Sequence, residues 1–222
     1  MAEPAALILD MDGVIVDSEP LHKEADRRIF REIGLDVPVE VLQEYAGTGA
    51  DVFYRALLDR YGAQGDPEAL HRRKIEIMQA LLRRNTPPVP GIHALVERAD
   101  RWGLRLAVGS SSDDSVVETV LSRLGLRAFF TAVVTGDAVS RGKPAPDIFL
   151  LAASRLRLPP EGCVVVEDSK AGVEASVRAG MACIGFRNPR SGGQDLSAAR
   201  RTVESLHEID EALLRDLLAR TR

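Results

Sequence analysis

The sequence predicts a doubly wound parallel α/β sheet, Rossmann-like in its alternation, with an inserted helical segment near the N-terminus. From Ile92 onward, stretches of helical spacing alternate with short β-branched runs, the pattern of a parallel sheet with helices on both faces. Residues 106–108 and 164–166 are apolar at every position, as in strands covered on both sides. Between about Pro20 and Leu82 the spacing is helical throughout, which indicates a helical insertion after the first strand.

The individual elements are predicted from these periodicities. The first strand is expected at 6–9, where four apolar residues precede an acidic turn. The later elements are expected, in chain order, as a helix from 92 to about 102, a strand at 104–108, a helix at 113–124, a strand at 132–135, a helix at 147–156, a strand at 163–166, a helix at 171–179 and a strand at 181–184.

A helix-breaking stretch marks the end of the insertion. Residues 85–91 contain three prolines and end in Gly91, a composition that stops a helix and favours a hinge. We therefore expect an α/β core domain formed by residues 1–16 and 87–222, and a helical cap domain formed by residues 17–86.

Composition indicates one globular fold and excludes several classes of protein. The chain has 222 residues, 45% of them hydrophobic, and a net charge of −4 without a basic stripe, so nucleic acid is not an expected partner. No apolar run approaches the length of a membrane span, and the first residues lack a signal-peptide pattern, so we expect a cytoplasmic protein with no membrane partner. The protein is also expected to be a monomer. Cys163 and Cys183 lie in apolar runs and are interpreted as buried free thiols.

Two carboxylates directly follow the first predicted strand. Asp10 and Asp12 are two residues apart, so they point the same way in an extended chain, and Gly13 permits a sharp turn after them. Their mutual repulsion favours a hard divalent cation with oxygen ligands, most simply Mg²⁺. An ordinary solvated turn is the alternative. A calcium loop of the EF-hand type is excluded, since its twelfth position, which requires Glu, is Leu21.

Polar residues also follow the later strands, and in a doubly wound sheet such positions share one rim. Ser110 and Ser111 come after one strand, Lys143 lies in the loop after the next, and Glu167 and Asp168 follow a third. Taken singly, each has a plain structural reading as a helix cap or a solvated charge, and Ser112 or Asp113 is interpreted as the N-cap of the helix that follows the serines. Together with the first carboxylates they supply what phosphoryl transfer requires, which is a carboxylate pair, phosphate-binding groups and a metal site.

These residues resemble the haloacid dehalogenase-like hydrolases, in particular the branch of β-phosphoglucomutase and the sugar-phosphate phosphatases. The four motifs of the family correspond to Asp-Met-Asp-Gly-Val at 10–14, Ser110 after Leu-Ala-Val-Gly, Lys143 in Gly-Lys-Pro-Ala-Pro, and Glu-Asp-Ser at 167–169 followed by Gly172. The resemblance covers essentially the whole chain. The second Asp of the first motif separates this chain from the dehalogenases and phosphonate hydrolases of the family.

The resemblance implies a mechanism through an aspartyl phosphate. Asp10 would attack phosphorus, and Asp12 would protonate the leaving alcohol and later deprotonate the attacking water. Ser110, Ser111 and Lys143 would bind the transferring phosphoryl group.

The resemblance also implies a metal site and a cap. Mg²⁺ would be held by a carboxylate oxygen of Asp10, the backbone carbonyl of Asp12 and Asp168, with Glu167 in support. The insertion at 17–86 would close over the substrate and exclude bulk water.

The expected activity is hydrolysis of a small phosphomonoester, with sugar phosphates as candidate substrates. Mutases of this branch carry an Arg in the first cap loop that binds a second phosphate, and the corresponding segment here, residues 47–51, has Ala50 at that position. A phosphatase is therefore favoured over a β-phosphoglucomutase-like mutase. A catalytically silent binding or regulatory protein is the non-enzyme alternative. Candidate contacts to the leaving group in the cap are Glu19, His22, Thr48 and Arg72.

Overall fold

A computed structural model describes residues 5–44 and 50–219 of the chain. Six strands of this part form one parallel sheet in the order β3-β2-β1-β4-β5-β6, so that the first strand lies in the middle. The strands are β1 (Ala6–Leu9), β2 (Arg105–Gly109), β3 (Ala132–Val134), β4 (Cys163–Glu167), β5 (Ala182–Phe186) and β6 (Arg201–Val203).

Nine α-helices occur in the described residues. They are α1 (Glu19–Glu32), α2 (Val39–Glu44), α3 (Ala50–Tyr61), α4 (Pro67–Arg84), α5 (Ile92–Arg101), α6 (Asp114–Arg123), α7 (Asp147–Leu156), α8 (Lys170–Arg178) and α9 (Glu211–Ala219). None of the helices in these residues combines the length and the apolar character that a membrane crossing requires.

The central strands are buried along their whole length. Every residue of β1, β4 and β5 is buried, which explains why these runs lack the polar alternation of a half-exposed strand. β1 pairs with β2 and with β4, with Leu9 opposite Val108 on one side and Val166 on the other. This register brings the residues that follow β1, β2 and β4 to the same rim of the sheet.

The chain divides into two compact units, one of residues 1–17 and 86–222 and the other of residues 18–85. The first unit contains the sheet and its helices, and the second contains α1 to α4. The second unit has its own aromatic core, in which the rings of Phe30, Phe53 and Tyr54 lie 5.1 to 6.2 Å apart between centroids.

The two points at which the chain leaves and re-enters the sheet unit lie side by side. The backbone N–H of Asp17 donates to the carbonyl of Pro87 at 2.9 Å, and Val89 donates to Ile15 at 3.0 Å. Val16 and Pro88 form an antiparallel bridge between these bonds. The insertion is thus closed at its base by backbone pairing that belongs to the sheet unit.

The predicted α/β class and parallel sheet are confirmed, and the C-terminal part of the chain adds elements that were not predicted. β6 pairs in parallel with β5 at the sheet edge, and α9 follows it. Cys163 and Cys183 are buried and free, as expected, and burial raises the pKa of each thiol to about 12.

Candidate active site

Asp10 stands at the end of the central strand, where the chain turns away from the sheet. Its backbone N–H donates to the carbonyl of Val166 at 3.0 Å, so the pairing of β1 with β4 continues one residue beyond β1. Its side chain is buried, with 8% exposed. The turn after it needs Gly13, whose φ of 80° lies in the left-handed region that other residues rarely adopt.

Lys143 connects the ends of three strands. Its Nζ lies 2.5 Å from Oδ1 of Asp10 and 2.6 Å from Oε1 of Glu167, and it also donates to the carbonyl of Gly109 at 3.0 Å. The side chain is almost fully buried, with 6% exposed. Burial alone would lower the pKa of Lys143, but the attraction of Asp10 and Glu167 outweighs it and raises the pKa, so the ammonium stays charged.

Negative charge exceeds positive charge around Asp10. One carboxylate oxygen from each of Asp10, Glu167 and Asp168 lies within 4.8 Å of the other two, and all three residues are buried. Burial is the main cause of a raised pKa at Asp10; Lys143 opposes it, while Glu167, Asp168 and Asp12 add repulsion. Burial, and next the charge of Glu167, raises the pKa of Asp168 to about 7.

This donor set fits a hard divalent cation. The clustered donors are carboxylate oxygens, the ligands that Mg²⁺ and Ca²⁺ prefer, and the cluster keeps an excess of negative charge even with Lys143 beside it. A cation bound among Asp10, Glu167 and Asp168 would offset the repulsion that raises the carboxyl pKa values. The residues present therefore suit the Mg²⁺ expected from the sequence.

The connection from β4 to α8 fixes Glu167. Ser169 donates to Oε2 of Glu167 through both its backbone N–H and its hydroxyl, each at 2.9 Å. The Ser169 hydroxyl also accepts from the N–H of Gly172 and so begins α8. A Cβ at Gly172 would overlap the Glu167 carboxylate, so glycine is needed here for close approach.

The serines after β2 have distinct positions. Ser110 is fully buried, and its hydroxyl accepts from the N–H of Ser112 at 3.1 Å, while Ser111 is exposed. Ser112, which sequence reasoning interpreted only as a possible helix cap, donates its hydroxyl to Oδ2 of Asp12 at 2.7 Å. Its position beside Ser110 was the only signal in the sequence, because its contact to Asp12 joins the segments that follow two strands distant in sequence.

A loop after β5 also contacts the site, and sequence reasoning missed it. The hydroxyl of Ser191 donates to Oδ2 of Asp168, and the side-chain amide of Asn188 donates to the carbonyl of Gly13 at 2.8 Å. Nothing in a polar, glycine-containing segment distinguishes these contacts from an ordinary surface turn.

The candidate cap residues lie in the second unit or outside the described residues. Glu19 begins α1, and its Oε1 lies 3.1 Å from Nζ of Lys23. His22 is half-buried in the same helix. Arg72 is exposed, and its Nη1 lies 3.6 Å from Oε2 of Glu68. Thr48 lies outside the described residues, as does most of the segment 47–51 that was compared with the mutase loop.

The sheet and the carboxylate cluster define an α/β enzyme with an acidic site at the carboxyl ends of its strands. Residues 7–186 match the family of haloacid dehalogenase-like hydrolases. A fructose-1-phosphate phosphatase of Escherichia coli, YqaB, is 38% identical over 185 residues, covering 82% of this chain and 96% of the relative. The chain belongs to the haloacid dehalogenase-like hydrolase family, and it is a phosphoric monoester hydrolase.

Two further similarities bear on activity. The crystal structure of CbbY from Rhodobacter sphaeroides in complex with phosphate superimposes with a TM-score of 0.85 at 30% identity, covering 96% of this chain and all of that one. A β-phosphoglucomutase of Bacillus subtilis is 31% identical over 218 residues, covering 95% of this chain and 94% of the relative.

Proposed function

We propose that this protein is a Mg²⁺-dependent phosphatase that hydrolyses a small phosphomonoester, such as a sugar phosphate, through an aspartyl-phosphate intermediate. The observation that supports it most directly is the group formed by Asp10, Lys143, Glu167 and Asp168, in which a buried lysine contacts the proposed nucleophile. The phosphatase relative at 38% identity, which covers most of both chains, supports a sugar phosphate as the substrate class.

In the first step, an oxygen of the ionised Asp10 carboxylate attacks phosphorus. The new bond from Asp10 to phosphorus forms as the ester bond breaks, and Asp12 gives its proton to the departing alcohol oxygen. Lys143 has two tasks here. Its charge opposes the rise in the pKa of Asp10 that burial causes and so favours the ionised carboxylate, and it stabilises the negative charge on the phosphoryl oxygens.

In the second step, water releases the phosphate. Asp12, now ionised, takes a proton from a water molecule, whose oxygen attacks phosphorus and breaks its bond to Asp10. The Ser112 hydroxyl, bonded to Asp12, keeps that carboxylate in place for both proton transfers. Ser110 and Ser111 are proposed to bind phosphoryl oxygens.

Asp10, the backbone carbonyl of Asp12, and Asp168 would hold Mg²⁺, with Glu167 in support. The bound ion would supply charge stabilisation at a phosphoryl oxygen. The unit of residues 18–85 is proposed to act as the cap, with Glu19, His22, Thr48 and Arg72 as candidate contacts to the leaving group.

Phosphate release from a panel of sugar, nucleotide and organic-acid phosphates tests this proposal. Asp10→Asn should reduce turnover by more than about 10³-fold, because the amide is not a nucleophile. The variant should keep the circular dichroism spectrum and the cooperative melting of the unchanged chain, as expected of a folded protein. A chelator should stop turnover of the unchanged chain, and added Mg²⁺ should restore it. Full activity of the Asn variant, or in chelator, would contradict the proposal.

The second candidate is a sugar phosphomutase, favoured by the 31% identity to a β-phosphoglucomutase over nearly the whole chain. Ala50, at the place where the resemblance implies a phosphate-binding Arg, argues against it. The two are separated by supplying β-glucose 1-phosphate with a catalytic amount of the bisphosphate. A phosphatase liberates phosphate, whereas a mutase forms glucose 6-phosphate in large excess over phosphate.

A further inference from the structure

Residues 187–195, which we call the β5 loop, make three side-chain contacts. One is to Asp168 in the site, and two are to the chain that follows β1. Ser191 donates its hydroxyl to Oδ2 of Asp168, and Asn188 donates its amide to the carbonyl of Gly13 at 2.8 Å. Nη1 of Arg190 lies 2.5 Å from Oδ2 of Asp17, whose side chain is 12% exposed. One loop thus contacts the carboxyl end of β4 and the chain that follows β1.

Hydrogen bonds within the β5 loop hold Ser191 in position. The backbone N–H groups of Arg190 and Ser191 donate to the side chain and the carbonyl of Asn188 at 2.9 and 3.1 Å. Gln194 donates its amide to the carbonyl of Ser191 at 3.1 Å and accepts from the N–H of Lys170 at 3.2 Å. Because Lys170 begins α8 two residues after Asp168, Ser191 is fixed relative to the carboxylate that it contacts.

The Asp168 carboxylate needs such a partner. The last torsion of an aspartate side chain is broad and does not by itself select one orientation. Carboxylate oxygens of Asp10 and Glu167 lie within 4.8 Å of an oxygen of Asp168, and these like charges push it away from the cluster. A hydroxyl donated to one of its oxygens holds the group against that repulsion.

Close packing at Gly13 supports the same conclusion. A Cβ built on Gly13 would overlap the Asp168 carboxylate and would lie 3.0 Å from the Ser191 hydroxyl. The turn after β1, Asp168 and Ser191 therefore pack against each other at one point.

We propose that Ser191 is a positioning residue for the cation site, because its hydroxyl sets the orientation of the Asp168 carboxylate. The inference rests on the proposed function, in which Asp168 is a ligand of Mg²⁺. Partners that orient metal-binding carboxylates typically contribute about 10- to 100-fold to metal affinity. Ser191 should therefore affect Mg²⁺ binding through Asp168, without contact to the substrate.

The test is calorimetric titration of Mg²⁺ alone into metal-free protein. The valine and threonine side chains have nearly the same shape, so Ser191→Val and Ser191→Thr differ mainly in the hydroxyl, which only the threonine keeps. We expect the Val variant to bind Mg²⁺ about 10- to 100-fold more weakly, and the Thr variant to bind it as the unchanged chain does. Ser191→Ala, which adds no volume, separates loss of the hydroxyl from a packing defect. Ser197→Val, at an exposed position further along the chain, is the matched control.

A kinetic measurement complements the titration. In Ser191→Ala the concentration of Mg²⁺ needed for half-maximal turnover should rise by the same factor as the dissociation constant. The KM for the phosphomonoester at saturating Mg²⁺ should not change. Melting temperatures in chelator should match the unchanged chain, which shows that the variant is folded.

Asp168→Asn distinguishes failure of this inference from failure of the proposed function. If Asp168→Asn weakens Mg²⁺ binding and the hydroxyl-free Ser191 variants do not, the role of Ser191 is overturned and the metal site stands. If Asp168→Asn binds Mg²⁺ as tightly as the unchanged chain, the proposed metal site itself is wrong. A weakened Thr variant would also overturn the inference, because it retains the donor.

Discussion

Asp12 and Ser112 meet across a hundred residues of sequence, because their strands β1 and β2 are neighbours in the sheet. Asp12 is half-buried after β1, and the Ser112 hydroxyl reaches it from the loop after β2. A general acid must lie within hydrogen-bonding distance of the oxygen that it protonates, so its orientation matters as much as its charge. The hydroxyl supplies that orientation.

Ser112→Ala should lower kcat by about 10- to 100-fold, because a small displacement of a catalytic group can cost that much. The KM for the phosphomonoester should change little, since Ser112 contacts Asp12, the proposed general acid, and is not proposed to contact the substrate. Steady-state phosphate release measures both. Ser115→Ala, at an exposed position in α6, is the control, and Ser112→Thr should retain most of the rate. An unchanged kcat in Ser112→Ala would show that Asp12 is oriented by other contacts.

Asp168, a proposed ligand of Mg²⁺, should couple metal binding to pH. Its pKa is about 7 in the folded chain against an ordinary value of 3.8, with burial as the first cause and repulsion from Glu167 as the second. Between these pH values the folded chain holds a proton that the unfolded chain has lost. The resulting stabilisation of the metal-free protein is fully present below about pH 4 and is lost as pH rises through about 7.

The rise in melting temperature caused by Mg²⁺ should consequently be larger at pH 8 than at pH 6. Mg²⁺ binds the ionised carboxylate, so at pH 6 it must displace the proton on Asp168. Calorimetric melting in chelator and in saturating Mg²⁺ at both pH values measures the difference. Asp168→Asn is the control and should show a smaller dependence on pH than the unchanged chain, the remainder coming from the raised pKa of Asp10. An equal rise at both pH values in the unchanged chain would contradict the assignment.

At the scale of elements, the connection from β4 to α8 combines helix initiation with placement of a site carboxylate. Ser169 begins α8 and donates to Glu167, and Gly172 leaves the space that the Glu167 carboxylate fills. Lys143 then contacts that carboxylate at 2.6 Å. A change in the first turn of the helix is therefore transmitted to the proposed phosphate-binding lysine.

Gly172→Ala should lower the free energy of unfolding by about 1 to 3 kcal/mol, because its Cβ overlaps a buried carboxylate that cannot move without losing its partners. It should also lower turnover, since Glu167 and Lys143 shift together. Urea unfolding gives the stability. Gly142→Ala is the stability control, because its Cβ would meet no atom within 4 Å and its φ is not left-handed. Equal stability of the two variants would show that α8 adjusts to the added methyl group.

Elements that are defined by a local pattern of residues, such as an apolar run, were predictable from the sequence. Five of the six described strands contain an apolar run, and placing the residues at the ends of these runs at one rim brought Asp10, Lys143, Glu167 and Asp168 together, as the structure has them. β6 was not predicted, because its three residues, Arg-Thr-Val, show no apolar run and owe their strand to pairing with β5.

Contacts that depend on tertiary placement were not predictable. Ser112 was interpreted as a helix cap because its spacing before α6 suits one, and its bond to Asp12 appears only when β1 and β2 pair. Asn188 and Ser191 lie in a segment whose composition is that of any surface turn. Their contacts to Gly13 and Asp168 depend on the position of the β5 loop beside the ends of β1 and β4.

For the whole molecule, the backbone pairing at the base of the insertion indicates that the sheet unit can fold without residues 18–85. Asp17 and Pro87 are joined by a hydrogen bond of 2.9 Å, so a short linker can close the chain where residues 18–85 leave it. The proposed nucleophile, lysine and carboxylates all belong to the sheet unit. The second unit has its own aromatic core, and deletion of residues 18–85 would remove that core as a whole.

A chain in which a Gly-Ser linker replaces residues 18–85 should fold and melt cooperatively, and should bind Mg²⁺ with nearly the affinity of the full chain. Turnover of the preferred substrate should fall by at least about 10-fold more than turnover of p-nitrophenyl phosphate. The reason is that a cap contributes water exclusion and contacts to the leaving group, whereas the phosphoryl chemistry belongs to the sheet unit. Mg²⁺ calorimetry and phosphate release on both substrates measure this. Unchanged substrate preference would place selectivity in the sheet unit, and loss of Mg²⁺ binding in a folded truncated chain would show that residues 18–85 support the metal site.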